Sequence, residues 1–352
     1  MRRALICFLF FLISYCSFGQ ATTSCVQTLR LARATYEQGR LHEIAGQLGP
    51  CLNGGFTKDE RQLEVEAYKL LCLSYIYLEE PEKANEAMLN ILRKDHDFQI
   101  NPAVDPAEFV GLYNTFRSKS MFSIGLLFGP NATLPNVTEN YAVGGASSGE
   151  GKYTPKVNIQ IGLVFEKLLF EKFTAAPEVS LSTRAFTYSN PNLFINDQTQ
   201  TSVATQTGDI KQTWLDLNLL MQYKLGKGIL NPYVSFGPNV GMLLKATNTI
   251  ETEYVTTVVT SGPPVDITDN YNKLGFSLIG TAGLKYKFGA IYITANVRYQ
   301  YGLSKIVNED QKSNPEAIYD YALGPNIYSQ QNAAFLIGFV YPIFSPKKLQ
   351  AK

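Results

Sequence analysis

Two histidines, His42 and His96, are the only imidazole groups in this chain of 352 residues. An imidazole is the side chain that most often acts as a general base, and both of these lie in the first third of the sequence. They stand 54 residues apart without a surrounding ligand cluster, and we interpret them as exposed residues near helix ends. The sequence therefore predicts a protein that is not an enzyme, with no catalytic, metal-binding or cofactor-binding residues.

The charge balance excludes a second class of function. Lys and Arg number 31 against 30 Asp and Glu, so the net charge is +1, and a polybasic surface for nucleic acid is not expected. Charged residues make up 17 % of the chain, against about 25 % in typical soluble domains. The run Gly125–Gly129 lacks the Lys-Ser/Thr pair of a phosphate-binding loop. No nucleic acid is therefore expected as a partner.

The first nineteen residues have the layout of a secretion signal. Two arginines precede the apolar run 4–17, and small residues at positions 17 and 19 mark a cleavage site before Gln20. The apolar run is shorter than the roughly 20 residues that a membrane-spanning helix needs. Cys16 does not fit a lipoprotein signal well, because the bulky Tyr15 precedes it. We expect a signal peptide at residues 1–19 and an exported mature chain.

Three cysteines, Cys25, Cys51 and Cys72, remain after that cleavage. An oxidising compartment permits one disulfide among them and leaves one thiol. If residues 25–51 form a helical hairpin, Cys25 and Cys51 lie at its open end and could pair. The alternative, three small side chains buried separately in helices, is about equally well supported by the sequence.

Residues 25–119 carry apolar side chains at a helical period. Asp105 and Glu108 flank a Pro-Ala pair and predict a capping box at the start of the last of these helices. Further upstream, a nine-residue spacing from an aromatic residue to an alanine occurs twice, about 39 residues apart. The residues that carry this pattern are Tyr36, Ala45, Leu71, Tyr75 and Ala84.

This pattern resembles the tetratricopeptide repeat, in which a Leu, an aromatic residue and an Ala pack two antiparallel helices. The second copy departs from that family at Cys72, where the family has Gly, and at His96, where it has Pro. The resemblance implies a small all-α helical-repeat domain over residues 20–118. Repeat helices present a concave face to another protein, so the resemblance also implies a protein partner.

After Lys119 the apolar period changes to two, which is typical of strands with two differently solvated faces. Eight such segments can be placed, at residues 121–129, 157–166, 173–188, 214–224, 233–245, 276–287, 291–303 and 333–344. Tight turns and long connections alternate between them, as in outer-membrane barrels with short periplasmic turns and long external loops. The sequence therefore predicts an α+β multidomain protein, in which an eight-stranded antiparallel transmembrane β-barrel over residues 119–345, with a tail at 346–352, follows the helical domain.

Charged residues of both signs fall on the polar face of these segments, near their middles. An eight-stranded barrel has an interior just wide enough for side chains, and a charge buried there is costly unless it is paired. We predict a salt-bridged and filled lumen; the alternative is that several of these groups lie near the rims and meet water. The predicted network is Glu178, Arg184, Asp216, Lys245, Lys285 and Arg298.

Two of the long connections are acidic. Residues 248–272 carry four acidic side chains and no basic one, and residues 306–331 carry four acidic side chains and one lysine. Solvated, flexible loops have this composition. We therefore expect these segments to be exposed loops, without a ligand that the sequence can name.

The strand region resembles the PorT-like outer-membrane β-barrel family of Bacteroidota. The resemblance covers residues 121–344 and rests on the strand and loop pattern, with glycine-rich strand openings at 123–125 (Ser-Ile-Gly) and 335–339 (Phe-Leu-Ile-Gly-Phe). The Gly-Gln junction at positions 19 and 20 is similar to signal-peptide ends of that phylum. One departure is that Phe344 is followed by eight further residues, whereas such barrels often end on the aromatic residue that the insertion machinery reads.

This resemblance implies a non-enzymatic envelope protein that sits in outer-membrane lipid, is assembled by the outer-membrane insertion machinery, and is associated with secretion or motility. With an even number of strands, both ends of the barrel lie on the side of the short turns, so the helical domain is expected in the periplasm. We expect it to recruit an unidentified periplasmic protein partner. The alternatives are a small-solute pore, or a surface receptor or adhesin that acts through the acidic external loops.

Overall fold

The computed structural model describes residues 24–140, 151–196, 201–226, 228–254, 259–310 and 326–349. These residues form two compact units, one of helices and one of strands. The helical unit contains residues 24–119 together with 344–349, and the strand unit contains residues 120–343. Helices give way to strands at the point where the spacing of apolar residues in the sequence changes from a helical period to a period of two residues.

The helical unit consists of two helix pairs and one further helix. The two helices of each pair are joined by a three-residue turn, at residues 38–40 and 78–80. Among the described helices, none is long and apolar enough to cross a membrane. The helices are α1 (Cys25–Glu37), α2 (Leu41–Leu52), α3 (Arg61–Tyr77), α4 (Pro81–Lys94) and α5 (Ala107–Asn114), with a 3₁₀ turn at Lys58–Glu60 before α3.

The first helix pair packs on α3 through a small apolar core. Leu29 and Ala32 lie three residues apart on α1, and Ile44 and Leu48 lie one turn apart on α2, so each pair faces one side of its helix. All four side chains are buried, together with Ala67 of α3. The helical spacing of the sequence thus produces a core in which small residues let the three helices approach.

The second helix pair encloses the other core of this unit. Pro81 occupies the first turn of α4, where its missing N–H has no partner to lose. Met88, Ile91 and Leu92 of α4 are buried against α3, and Phe109 of α5 closes the cluster. This core contains more and larger side chains than the first one, and it joins α3, α4 and α5 into one packed layer.

The start of α5 differs from the predicted capping box. The helix begins at Ala107 with Pro106 in the N-cap position and no side-chain cap. The Asp105 carboxylate instead pairs with Lys69 of α3 and accepts the backbone N–H of Asn101. Burial acts to raise the pKa of Asp105, but these two partners outweigh it and hold that pKa below its usual value. The Asp105 carboxylate thus forms a tertiary ion pair and a loop hydrogen bond in place of the local cap.

A disulfide joins the two ends of the first helix pair. Cys25 begins α1 and Cys51 lies in the last turn of α2, and their Cα atoms are 5.5 Å apart. Gly55 packs directly over the bond, because a Cβ atom there would come within 2.7 Å of the Cys25 sulfur. The third cysteine, Cys72, is free and fully buried in α3, and burial raises the pKa of its thiol to about 12. A thiol in such a site stays protonated and unreactive.

The strand unit is a closed antiparallel barrel. Eight long strands pair in the order β4-β3-β2-β1-β10-β9-β8-β5, and a further pairing of β4 with β5 closes the ring. Two short strands, β6 and β7, pair with β5 alone. The strands are β1 (Phe122–Glu139), β2 (Lys152–Leu168), β3 (Phe173–Asn196), β4 (Thr201–Lys224), β5 (Leu230–Tyr254), β6 (Val259–Ser261), β7 (Val265–Asp266), β8 (Leu274–Phe288), β9 (Ile291–Gly302) and β10 (Ile327–Ile343).

The two ends of the barrel are built differently. At one end, here called the turn end, β8 and β9 are joined by two residues, and Gly289 takes the left-handed conformation (φ +57°) that such a turn needs. The connection 169–172 and the described residues 225, 226, 228 and 229 also lie at this end. At the other end, here called the extended end, β3 and β4 reach 24 residues and β5 reaches 25. About 9–11 residues suffice to cross a bilayer, so these strands continue well beyond it.

The predicted strands end too early at the extended end. The alternation of the sequence places them at 173–188 and 214–224, whereas β3 runs to Asn196 and β4 starts at Thr201. Beyond Tyr188 the two strands remain paired residue by residue, for example Asn190 with Gln206. The outward side chains there are polar, so the apolar alternation that revealed the strands is lost while the backbone hydrogen bonds continue.

The two acidic connections are not purely exposed loops. Parts of both turn inward at the extended end and fill it with an apolar cluster, which we call the external cap. Tyr271 pairs with Val307 in an isolated bridge, and the Tyr328 hydroxyl donates to the Tyr271 hydroxyl at 3.0 Å. The buried members of the external cap are Phe186, Ile210, Trp214, Leu243, Ala246, Ile267, Tyr271, Ile306, Val307 and Tyr328. The prediction of solvated loops missed these residues because acidic neighbours dominate the composition of both segments.

The disulfide gives a direct test of the helical unit. Replacing Cys25 and Cys51 together by Ser should lower the free energy of unfolding of the helices by about 3 kcal/mol, because the bond closes a loop of 26 residues. Thermal unfolding of the detergent-solubilised protein, followed by the helical circular-dichroism signal at 222 nm, measures this. Reducing agent should shift the wild type by a similar amount and leave the double variant unchanged. A wild type that is insensitive to reduction would contradict the disulfide.

Candidate functional site

The outer face of the barrel carries an apolar belt. Outward side chains near the middle of the strands are large, apolar and exposed; Leu163, Phe236 and Val297 are each about 60 % exposed. Monomeric soluble proteins rarely expose contiguous apolar patches larger than a few hundred Å². Further members of the apolar belt are Ile124, Leu126, Phe128, Val157, Ile159, Ile161, Val179, Leu181, Leu217, Leu219, Met221, Val240, Met242, Phe276, Tyr299, Phe335, Ile337 and Phe339. Such a surface fits hydrocarbon and not water.

The inner face of the same strands is polar and contains three buried ion pairs. Arg298 pairs with Glu178, Arg184 pairs with Asp216, and Lys285 pairs with Glu166. Three positive and three negative groups therefore balance inside the lumen. Polar side chains inside and apolar side chains outside are the reverse of a soluble barrel and are typical of a transmembrane one.

The pair of Arg298 and Glu178 bridges opposite walls. Arg298 projects from β9 and Glu178 from β3, and two parallel hydrogen bonds of 2.7 Å join the guanidinium to both carboxylate oxygens. Glu178 also accepts a hydrogen bond from Asn218 of β4 at 3.1 Å. Both charged side chains are at most 3 % exposed. The two-pronged geometry is the strongest form of such a contact, and it ties strands that do not neighbour each other.

The pair of Arg184 and Asp216 lies nearer the extended end. The Arg184 guanidinium donates to both Asp216 oxygens at 2.7 Å and stands 4.9 Å from the centre of the Trp214 ring. Asp216 further accepts from Asn239 of β5. Gly241 faces this pair, and a Cβ atom there would lie 2.8 Å from an Asp216 oxygen. The absence of a side chain at Gly241 therefore leaves space for the Asp216 carboxylate. Trp214, a member of the external cap, brings the cap into contact with this ion pair.

The third pair joins Lys285 of β8 to Glu166 of β2 near the turn end. The Lys285 ammonium donates to both Glu166 oxygens, at 2.6 and 2.7 Å, and to Gln222 at 3.1 Å. It also lies 5.1 Å from the centre of the Tyr233 ring. Glu166 was not among the predicted network residues. The sequence signal that could have found it is its period-two relation to the inward residues Val164 and Gly162.

Lys245 was predicted inside the lumen, and this prediction is wrong. Thr213 pairs with Lys245, whereas Trp214 pairs with Leu243, so β5 has one extra residue at this point. An inserted residue moves every later side chain to the opposite face. Leu243, which precedes the extra residue, is buried, whereas Lys245, which follows it, is exposed on the outer surface. A strict period-two count cannot detect such a bulge.

Little open space remains in the described part of the lumen. Two cavities, one beside Arg298 and one beside Arg184, have volumes of about 20 Å³ each, which is room for about one water molecule. Apolar side chains also fill part of the interior beside the ion pairs: Leu127, Val164, Leu220, Ile279, Leu336 and Val340. The external cap fills the other end. The arrangement can hold charge and support the wall, and it leaves no room for a solute in the residues described.

In the helical unit, the predicted repeat residues lie at helix contacts. Ala84 is buried, and its carbonyl oxygen lies 3.4 Å from the Cys72 sulfur of α3. Tyr36, Ala45, Leu71 and Tyr75 are half-buried. Of the two histidines, His42 is exposed as expected, but His96 is half-buried and stacks on Phe344 with ring centres 4.6 Å apart. Among the residues that the structure describes, no cluster of three or more His, Cys, Asp and Glu side chains could hold a metal ion.

The helical unit also contains a groove of about 320 Å³ where α3 ends, α4 begins and α5 packs beside them. Its lining combines apolar side chains with three glutamates, Glu79, Glu80 and Glu108, and one lysine, Lys348. Glu80 is paired with Lys83, which does not line the groove, at 2.8 Å. We call this feature the acidic groove. Its other lining residues are Tyr75, Ile76, Pro81, Ala84, Asn85, Gly111, Leu112 and Thr115. The sequence did not predict this groove, because it forms only when three helices meet.

The ion pairs in the lumen predict a specific pattern of stability changes. Replacing Arg298 by Met should destabilise the barrel by about 3–5 kcal/mol, because Glu178 then remains buried without its partner. Adding Glu178→Met should restore most of that loss, since no uncompensated charge remains. Urea unfolding of the barrel in detergent, followed by the mobility shift of folded and unfolded protein on gels, measures both.

The matched control for that experiment is Lys167→Met, which removes an exposed lysine at the turn end and should change the urea midpoint little. If Arg298→Met behaved like this control, Arg298 and Glu178 would not be paired in a dry lumen. Equal destabilisation by the single and the double variant would contradict the pairing as well.

Comparisons with known proteins agree with this arrangement at the level of the fold. The family described as "Outer membrane protein beta-barrel domain" matches residues 112–308, and no curated protein matches the chain. Among solved structures, the chain is similar to the outer membrane protein OprG from Pseudomonas aeruginosa, with 18 % identity, 64 % of this chain and 98 % of that chain covered, and a TM-score of 0.36. It is also similar to Neisserial surface protein A, with 9 % identity, 63 % and 97 % covered, and a TM-score of 0.33.

A third similar structure is the N-terminal β-barrel domain of OprF from Pseudomonas aeruginosa, with 15 % identity, 63 % of this chain and 100 % of that domain covered, and a TM-score of 0.25. These identities concern the fold alone. The family match is the stronger finding, because it spans more than half of the chain and includes most of the barrel. The chain therefore belongs to the outer membrane protein beta-barrel domain family, and it is an outer-membrane β-barrel protein with an N-terminal helical region.

Proposed function

We propose that this protein is a non-enzymatic anchor, whose barrel holds a periplasmic helical domain that binds a protein partner of the cell envelope. In this proposal residues 1–19 are a signal peptide, residues 20–118 the periplasmic domain, residues 119–345 the barrel and residues 346–352 a tail. The outer-membrane insertion machinery would assemble the barrel. The observation that carries the proposal is the acidic groove, because it is an open, chemically distinct surface of the helical unit.

The interior of the barrel supports an anchoring role. A small-solute pore needs a continuous polar passage, whereas the described lumen contains three closed ion pairs, an apolar layer and the external cap. Its two cavities are about 20 Å³ each. These features disfavour the pore among the alternatives and support the anchoring role.

The periplasmic position of the helical domain follows from the strand count. β1 begins and β10 ends at the turn end, since β1 and β10 are antiparallel neighbours with Phe122 opposite Ile343. In outer-membrane barrels the short turns face the periplasm. The segments that flank the barrel on both sides would then emerge into the periplasm.

The two helix pairs support the assignment as tetratricopeptide-like repeats. Each pair has a three-residue turn, and the aromatic and alanine positions of the predicted repeats lie at their helix contacts. Repeats of this kind bind segments of other proteins. The strand and loop pattern of the barrel supports the further proposal that the protein belongs to the PorT-like group of Bacteroidota and acts as an envelope scaffold or as an accessory of secretion or motility.

The chemistry of the acidic groove indicates the partner. Glu80 is paired with Lys83 at 2.8 Å, so Glu79 and Glu108 against Lys348 leave the lining with a net negative charge. Apolar contacts come from Tyr75, Ile76 and Leu112. A partner segment with basic residues beside apolar ones would complement both features. We therefore propose a basic, partly apolar segment of a periplasmic protein as the occupant.

Glu79 on this rim has a strained backbone. It is the only described residue other than glycine with positive φ, at +56°, and it follows the last turn of α3, where Glu80 N–H bonds to Tyr75 O at 2.9 Å. Glycine is the preferred residue in that position of a helix end, and a side chain there costs about 1 kcal/mol. The presence of a glutamate at this position, in spite of the strain, supports a binding role for the exposed carboxylate of Glu79.

Crosslinking in cells tests the proposed function. A photo-crosslinking residue in place of Gly111, which lines the acidic groove and is exposed, should capture a discrete periplasmic protein. The same residue in place of Arg30, an exposed position on α1 outside the groove, should not. Adding Glu108→Lys should abolish the capture at Gly111, because the rim then repels a basic segment. Capture that is equal at both positions, or that survives Glu108→Lys, would overturn the proposal.

A second test separates stability from binding at Glu79. Glu79→Gly should raise the free energy of unfolding of the helical unit by about 1 kcal/mol by relieving the left-handed strain, while weakening capture of the partner. Glu79→Ala is the matched control, since it removes the carboxylate and keeps the strain, so it should weaken capture without the gain in stability. Thermal unfolding at 222 nm and the yield of the crosslink are the two measurements. An unchanged crosslink yield in both variants would exclude Glu79 from the binding surface.

A further inference from the structure

Two β-bulges lie at the edge of the apolar belt that faces the extended end. In β2 the pairing with β3 shifts by one residue between Lys156 and Gln160. In β5 the pairing with β4 shifts between Thr213 and Trp214. Each bulge is next to an outward lysine, Lys156 on β2 and Lys245 on β5, and Lys211 projects outward from β4 between them; all three are exposed.

These three lysines form one patch, which we call the lysine cluster. Lys156 pairs with Ala185 of β3, and Ala185 pairs with Lys211 of β4, so two strand spacings of about 4.8 Å separate the first two lysines. Lys245 lies on β5 next to β4, two residues from the partner of Lys211. Ala185 faces outward and is only 6 % exposed, so it forms a small, covered floor between the lysine stems.

The acidic groups near the lysine cluster are already engaged. Asp209 pairs with Lys156 at 2.6 Å and accepts from the Thr187 hydroxyl at 2.6 Å. The Asp266 carboxylate, near Lys245, accepts from both the backbone N–H and the hydroxyl of Thr268. Among the described residues, Lys211 and Lys245 form no ion pair. Lys211 and Lys245 therefore lie on neighbouring strands with hydrogen-bond donors available for a ligand, and Asp266 is within electrostatic reach of Lys245.

The position of the lysine cluster indicates what it binds. The outward side chains on the turn-end side of it are Val157 on β2, Leu215 and Leu217 on β4, and Met242 on β5, all members or neighbours of the apolar belt. An acyl chain lying against these side chains brings its headgroup to the lysines. In an outer-membrane barrel the extended end faces outward, so that headgroup belongs to the outer leaflet.

We propose that Lys156, Lys211 and Lys245 bind the phosphate-bearing headgroup of an outer-leaflet lipid. Lysines at a membrane edge attract anionic headgroups, and compact ammonium groups are suited to phosphate. The bulge in β5 is needed for this site, because without it Lys245 would point into the lumen. The proposal is independent of the periplasmic partner, since it concerns the outer surface of the barrel alone.

Lipid binding to the purified full-length protein in detergent tests the proposal. Phosphorylated lipid A is the probe, enzymatically dephosphorylated lipid A is its control, and native mass spectrometry measures the bound fraction. Lys211→Gln with Lys245→Gln should weaken binding of the phosphorylated probe about thirtyfold, from about 1 kcal/mol per lysine. The matched control, Lys167→Gln with Lys172→Gln, removes two exposed lysines at the turn end and should bind like the wild type.

Three outcomes would overturn the proposal. Equal loss in both double variants would mean that total charge matters and the lysine cluster does not. Equal binding of phosphorylated and dephosphorylated lipid A to the wild type would exclude the phosphate. Displacement of the lipid by millimolar inorganic phosphate would identify a soluble anion as the ligand. Lys211→Gln alone, with an expected loss of about fivefold, provides the same comparison if the double variant does not insert.

Discussion

The pairing of opposite charges inside the barrel is the interaction on which the strand unit depends. Where the strands cross the lipid, charged side chains can only face the lumen. A dry lumen accommodates such side chains only when opposite charges are paired. Arg298 with Glu178 and Lys285 with Glu166 connect strands on opposite sides of the ring. Each such pair therefore fixes the relative register of two distant strands as well as satisfying two charges.

The same pairing limits what the barrel can do. In the described part of the lumen, guanidinium, ammonium and amide groups meet across the ring, and the two cavities beside Arg298 and Arg184 hold about one water molecule each. The external cap adds a second closure from Tyr271, Val307 and Tyr328, which come from connections and a strand end far apart in sequence. A closed barrel of this kind is suited to anchoring, and the proposed binding surfaces are the acidic groove and the outer surface of the barrel.

Much of the architecture can be predicted from the sequence. Both the helical period and the period of two of the apolar residues reflect which side chains of a segment face water and which do not. The middle of each strand and the charged residues Glu178, Arg184, Asp216, Lys285 and Arg298 were identified from parity alone. The ends of β3, β4 and β5 were not, because the outward side chains there are polar and the alternation of apolar residues is lost, although the backbone still forms a strand. Lys245 was placed on the wrong face because one inserted residue reverses parity. The Asp105 cap was replaced by an ion pair with Lys69, a residue 36 positions away.

The sequence by itself determined which faces of which segments are apolar, where helices give way to strands, and that the charged strand residues have both signs. Those properties depend on neighbours within a few residues, so they can be read along the chain. Only the tertiary structure decided which charge meets which, where the two bulges turn lysines outward, how the acidic connections fold into the external cap, and that a groove opens beside Glu79. These depend on contacts between strands and helices distant in sequence, and the geometry of such contacts exists only after the ring closes and the helices pack.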